Sequence, residues 1–140
     1  MIKVEKFYPL MLEAFDNNQT FSFPVKGTSM RPLLKNGDIV TLEKFDDNPK
    51  VGDILFYRRD NLQFVLHRVR KISNNRLYFV GDHQTGLEKV NYSSIIAKAI
   101  NYKKANKDKI YDMKGVKYNI YKFLVKFKFV RYIFAHLYKW

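Results

Sequence analysis

Ser29, His67 and Asp82 are the residue types that serine acyl transfer needs, and each stands in a local frame that could hold it still. Ser29 lies in Val25-Lys26-Gly27-Thr28-Ser29-Met30-Arg31-Pro32, between a glycine and a proline. Gly27 is free to take dihedrals closed to other residues, and Pro32 fixes its own φ and biases Arg31 away from helix. A serine on a rigid turn offers its Oγ and its backbone N–H to the same carbonyl group. Alone, the pattern G-x-S-M-x-P equally describes an ordinary loop between two strands.

His67 falls in a segment, Leu62 to Ile72, that reads as a strand. Period-2 alternation puts Val65, His67 and Val69 on one face and Leu66, Arg68 and Arg70 on the other. A buried, neutral imidazole there is either a satisfied core histidine or a general base. Asp82 follows Gly81 at the end of another strand. It is either a turn aspartate bonding its own backbone or an acceptor that fixes the histidine tautomer. His83 is read as a loop histidine. Asp38 and Asp53 each follow a glycine and open a strand, and are read as structural.

Four boxes stand in order around the serine: Gly37-Asp38-Ile39-Val40, Val51-Gly52-Asp53-Ile54-Leu55-Phe56, Leu66-His67-Arg68-Val69 and Gly81-Asp82-His83. From Phe21 to Ile100 this order resembles the signal peptidase I superfamily of S24/S26-type serine peptidases, which also holds the LexA-type self-cleaving repressors. The resemblance implies that Ser29 is the nucleophile. Where the bacterial branch has a lysine base before the Arg-Val pair, this chain has His67, as in the archaeal and endoplasmic-reticulum branch. The resemblance further makes Asp82 the group that orients the histidine. Glu88, near a second acidic position of relatives, is the alternative orienting group. The oxyanion would bind the Ser29 backbone N–H. The hydroxyl that some relatives carry two residues earlier is replaced here by Gly27, with Thr28 as a substitute.

The elements that must position these residues are short. Residues 5–16 read as a helix with a Phe7, Leu10, Met11 and Ala14 stripe, and Pro9 in its first turn. Strands are expected at Phe21 to Val25, Ile39 to Glu43, Asp53 to Arg58, Leu62 to Ile72, Arg76 to Val80 and Ser94 to Tyr102, with a loop from Gly81 to Glu88. The fold class is therefore mainly β: a signal peptidase/LexA-like core of short strands, an N-terminal helix and a basic amphipathic C-terminal helix. The divisions are 1–20 for the first helix, 21–102 for the catalytic β domain, and 103–140 for a basic linker and the last helix. In that helix Val116, Ile120, Phe123, Phe127, Val130, Phe134 and Leu137 form a 4,3-spaced stripe.

Composition narrows the choices. A chain of 140 residues is one domain, and 46% hydrophobic content excludes global disorder. With no cysteine there is no disulfide, thiolate metal site or cysteine nucleophile. The three histidines, at 67, 83 and 136, have no ligand spacing, so neither metal nor other cofactor is expected. The net charge of +13 is concentrated: residues 103–140 hold 11 of the 26 basic residues and 2 of the 13 acidic ones. Such a field attracts anionic surfaces. Glu5 and Glu13 break any h-region, so no cleavable signal peptide is expected.

The leading expectation is a serine endopeptidase that removes leader or signal segments from peptide or protein precursors, beside an exporter in some settings. The resemblance implies that substrate binds as an extended strand. One alternative is a LexA-like self-cleaving regulator. Another is a non-catalytic basic module for membrane or nucleic acid; in the leading reading no nucleic acid is expected. The tail is expected to lie on an anionic membrane, on the cytoplasmic side, with Lys122, Lys126, Lys128, Arg131 and Trp140 at the lipid headgroups. The competing reading packs its apolar stripe on the β core or on a partner protein.

Overall fold

The computed structural model describes residues 4–137, so Tyr138 and Trp140 lie outside the described residues. A helix at Val4–Asp16 (α1) precedes strands at Phe21–Pro24 (β1), Ile39–Lys44 (β2), Ile54–Arg58 (β3), Phe64–Ser73 (β4), Arg76–Val80 (β5), Glu88–Asn91 (β6), Ile95–Lys103 (β7) and Tyr111–Asp112 (β8). Helices at Val116–Val125 (α2) and Lys128–Leu137 (α3) follow. The strands form one antiparallel sheet in the order β1-β2-β7-β3-β4-β5-β6, with β8 beside β7.

The central strand β3 is buried on both faces. Its Ile-Leu-Phe-Tyr run is apolar at every position. Ile54 and Phe56 enter one core cluster with Met11 and Phe15 of α1. Leu55 and Tyr57 enter a second cluster with Val65, Val69 and Phe79. The alternation expected for β4 holds, with Val65 and Val69 in the second cluster and Leu66 packed against the first. Pairing of β4 is uneven. β3 covers it from Phe64 to Arg68, but β5 pairs only from Arg68 onward. Residues 64–67 therefore have one open backbone edge.

Three elements differ from the sequence reading. β6 holds a single buried apolar residue, Val90, so no alternation announced it. β8 lies in the lysine-rich stretch expected to be a linker, where Tyr111 stacks on Tyr102 at 5.3 Å. Pro9 stands beyond the first turn of α1, at the cost of one helical hydrogen bond.

The C-terminal segment is two helices rather than one, and the break has a cause. Arg131 donates to the carbonyls of Val125 (2.7 Å) and Lys126 (2.9 Å), and Arg70 donates to Lys126 as well (2.9 Å). Those carbonyls are the acceptors that a continuing helix would need. Arg131 is thus 3% exposed and faces the core, which corrects its expected place at the lipid headgroups.

The pair also docks by a different face from the one expected to pack on the core. Tyr118, Tyr121 and Val125 turn inward, whereas Val116, Ile120, Phe123 and Phe127 are exposed. In α3, Val130 and Phe134 of the expected stripe are half-buried, and Phe129, Tyr132 and Ile133 are exposed instead. The inward face meets a buried ion pair. Arg68 donates to both oxygens of Asp82, at 2.8 and 2.9 Å, and also to the Gly52 carbonyl and the Tyr118 hydroxyl. Tyr121 donates its hydroxyl to Asp82 at 2.8 Å. Replacing Asp82 with asparagine leaves Arg68 a buried cation without a counter-charge. Asp82→Asn is expected to cost about 3–5 kcal/mol in urea denaturation at neutral pH; a loss below about 1 kcal/mol contradicts this account.

Candidate functional site

Ser29 sits on a turn pinned from three sides. Below it, Met30 and Leu34 are buried, and Leu34 N–H donates to the Met30 carbonyl at 2.9 Å. Behind it, Val25 exchanges backbone bonds with Asp38 (2.7 Å) and Gly37 (2.9 Å), and Gly27, at φ +94°, donates its N–H to the Asn36 side chain. In front, the His83 N–H donates to the Ser29 carbonyl at 2.9 Å. A Cβ on Gly81 would collide with that carbonyl oxygen, so only glycine lets the two backbones approach this closely. Asp38 closes the loop from behind, accepting from Lys35 N–H, Ala105 N–H and Lys104 Nζ. Burial works against its charge, but these donors win and hold its carboxyl below the usual range. Among the described residues nothing accepts a hydrogen bond from the Ser29 N–H or bonds its Oγ.

Ser29 and His67 line one cleft of about 290 Å³, between the serine loop and residues 63–67 of β4 and its approach. His67 is 5% exposed. Its Nδ1 lies 3.2 Å from the Tyr57 hydroxyl, which donates to Glu88 Oε1 at 2.6 Å. Arg59 holds Glu88 from the other side with two bonds, at 2.7 and 3.0 Å. The chain fixes the tautomer. Tyr57 has one proton and spends it on the carboxylate, so its oxygen accepts from His67 Nδ1–H. Nε2 is left as the unprotonated, basic nitrogen.

The charges agree with that arrangement. Burial pushes His67 down to about 4, with Glu88 and Asp82 opposing and Arg59 assisting. Burial and the Glu88 carboxylate push the Tyr57 phenol far up, so it keeps its proton. Burial opposes the Glu88 charge, but Arg59 and Tyr57 hold it below the usual carboxylate range.

The sequence-based orienting group needs correction. Asp82 is 1% exposed and hydrogen-bonded to Arg68 and Tyr121, and it makes no hydrogen bond to His67. The carboxylate connected to the imidazole is the alternative, Glu88, through Tyr57. Alternation puts Arg68 on the face opposite His67, and Asp82 goes with Arg68. Sequence reasoning missed Tyr57, Arg59, Arg68 and Gly81. The signal for Tyr57 was the β3–β4 register: Tyr57 pairs with Val65 and so lies diagonal to His67 on the same face.

His83 serves through its backbone and also lines a second cleft of about 570 Å³ with His67, Glu88 and His136. Burial and the Arg31 charge hold its imidazole below the ordinary histidine value. Of the residues expected at lipid headgroups, Lys122 lies over Gly52, Lys126 sits 4.2 Å over the Phe123 ring and Lys128 is exposed. Among the described residues no three of His, Asp or Glu stand close enough to share a metal ion.

A neutral His67 is expected to titrate near 4 in NMR spectra of the folded protein, well below the ordinary 6.5. Because the unfolded chain binds this proton more readily, stability is lost as pH falls from about 6.5 towards 4. Glu88→Gln removes the carboxylate that raises the imidazole and so lowers its midpoint further. A wild-type midpoint near 6.5, or a rise in the variant, contradicts this geometry.

The family described as Peptidase S24-like matches residues 2–100, which run from α1 to within β7. No curated protein matches the chain. The match contains the serine turn, His67, Tyr57 and Glu88, and ends before β8 and the two C-terminal helices. On this match the chain belongs to the Peptidase S24-like family, within the S24/LexA-like serine peptidases.

Proposed function

We propose that the protein is a serine endopeptidase with Ser29 as nucleophile and His67 as general base, cleaving leader or signal segments from peptide or protein precursors. The observation that carries this reading is the shared cleft. Ser29 and His67 both line it, and His67 is held from behind through Nδ1. That leaves a basic Nε2 for the serine proton.

The reaction follows from these groups. Ser29 Oγ attacks the scissile carbonyl carbon while Nε2 takes the hydroxyl proton. The Ser29 N–H, not otherwise engaged, binds the oxyanion. His67 then gives the proton to the leaving amine as the C–N bond breaks. Water attacks the acyl-enzyme with the same base and restores Ser29. Oγ and the imidazole are not hydrogen-bonded in the resting site, and such bonds commonly tighten only with substrate. The Tyr57–Glu88 pair stabilises the imidazolium that forms, the part played by the aspartate in other serine triads.

Substrate fits as an added strand. The open edge of β4 at residues 64–67 faces a cleft whose other wall is the serine loop. A peptide in extended form can pair with that edge and bring its carbonyl to Ser29. The arrangement calls for no cofactor.

Ser29→Ala should abolish cleavage of extended peptides and labelling by a fluorophosphonate, with the fold unchanged. His67→Ala should cost on the order of 10⁶-fold in kcat, because such residues act as a unit. The rate should rise through pH about 4 and be level by neutral pH, following the lowered imidazole. Undiminished turnover by Ser29→Ala, or a rate that rises only above about pH 9 as a lysine base would give, overturns the assignment.

A further inference from the structure

The two C-terminal helices turn the usual arrangement of an amphipathic helix around. Apart from the buried Val125, their main inward contacts are polar: Tyr118 and Tyr121 on the Arg68–Asp82 pair, and Arg131 on the Gln84 carbonyl at 3.0 Å. Their outward surface is an apolar ridge. Val116 is 77% exposed, Phe123 54% and Phe129 65%, and Ile120, Phe127 and Tyr132 continue it. An apolar surface of this extent on a soluble face calls for an occupant.

The charge around the ridge selects one. Residues 116–137 include Lys117, Lys122, Lys126 and Lys128, besides the buried Arg131, and no acidic residue. Lys117 and Lys128 are exposed beside the ridge, and Lys126 lies over the rings of Phe123 and Phe127. Phenylalanines in the ridge, flanked by cations alone, match the boundary between acyl chains and anionic headgroups. A second copy of the chain would bring the same cations against these and repel. No helix among the described residues is long and apolar enough to cross a membrane.

We infer that the α2–α3 pair is a docking surface for an anionic lipid bilayer. It lies flat, with its ridge among the acyl chains and its lysines at the phosphates. The helix pair also reaches the candidate site, because Ala135 and His136 of α3 line the cleft that also holds His67. On the peptidase reading, a peptide emerging along the membrane surface is thereby delivered on the His67 side of the site.

The test is flotation of the full chain with vesicles of phosphatidylcholine alone and of phosphatidylcholine with phosphatidylglycerol. It needs no catalysis, so its result is independent of the peptidase reading. The protein should float with the anionic vesicles and leave them as salt rises. Phe123→Glu/Phe129→Glu changes only exposed side chains, so its thermal melt should match the wild type. It should bind at least about tenfold more weakly. Lys117→Gln/Lys128→Gln, with the ridge intact, should lose about fivefold per lysine. Equal flotation with neutral vesicles, no flotation at all, or unchanged binding by the phenylalanine variant overturns the inference. So does a wild-type dimer that this variant makes monomeric, which would give the ridge to a second copy.

Discussion

Arg68 and Asp82 are 4% and 1% exposed, and neither charge could be buried alone. Burial works against the Arg68 charge, but the carboxylate beside it more than restores it and holds the guanidinium above its ordinary value. The pair draws four parts of the chain to one point. Arg68 comes from β4, Asp82 from the turn after β5, the Gly52 carbonyl from the approach to β3, and Tyr118 and Tyr121 from α2. Because Asp82 is fixed, its neighbours are fixed as well. Gly81 presses on the Ser29 carbonyl and His83 donates to it. The ion pair makes no hydrogen bond to the Ser29 or His67 side chain, yet it sets where the serine stands relative to β4.

The two carboxylates have separate partners: Asp82 pairs with Arg68, and Glu88 reaches the His67 imidazole through Tyr57. Asp82 is committed to Arg68, and its part is in holding the fold. Glu88 is committed to the imidazole through Tyr57, and it is kept ionised by Arg59. A phenol between acid and imidazole transmits direction without carrying charge: burial keeps its proton in place, and the hydrogen-bond order follows from that. The histidine is neutral because it is buried and directed because Tyr57 has only one proton to give.

How much of this could be read from the sequence depended on the range of each interaction. The serine turn, His67 and most of the strands are written in short motifs and in period-2 alternation, which are local. The faces of β4 were legible because Val65, His67 and Val69 differ in type from Arg68 and Arg70. β3 was legible as a strand but not in its phase, since Ile54, Leu55, Phe56 and Tyr57 are all apolar and Tyr57 passed as core. Glu88 is linked to Tyr57 across 31 positions through the pairing of β5 with β6, and β6 has one buried apolar residue to announce it. The family resemblance of the Gly81-Asp82 box suggested that Asp82 orients His67; only its hydrogen bonds to the buried Arg68 show what Asp82 is for. The single long helix expected at the C-terminus failed for a similar reason. Spacing reports which residues share a face, but not that Arg131 will turn back and take the carbonyls of Val125 and Lys126.

The outward turn of the apolar stripe has its own physical logic. The patch of core that receives Tyr118 and Tyr121 of α2 is a charged pair with a buried carbonyl, not a greasy surface. Apolar side chains laid over it would leave Arg68 and Asp82 short of hydrogen-bond partners, a costly state. Tyrosines supply ring area and a hydroxyl together, and Arg68 also lies 5.6 and 5.7 Å from the ring centres of Tyr118 and Tyr121. Once those residues are chosen for the inward face, the 3.6-residue period places Val116, Ile120 and Phe123 away from it. The same helices that complete the polar frame behind the serine therefore carry their hydrophobic side outward, and the site and the ridge are two faces of one packing decision.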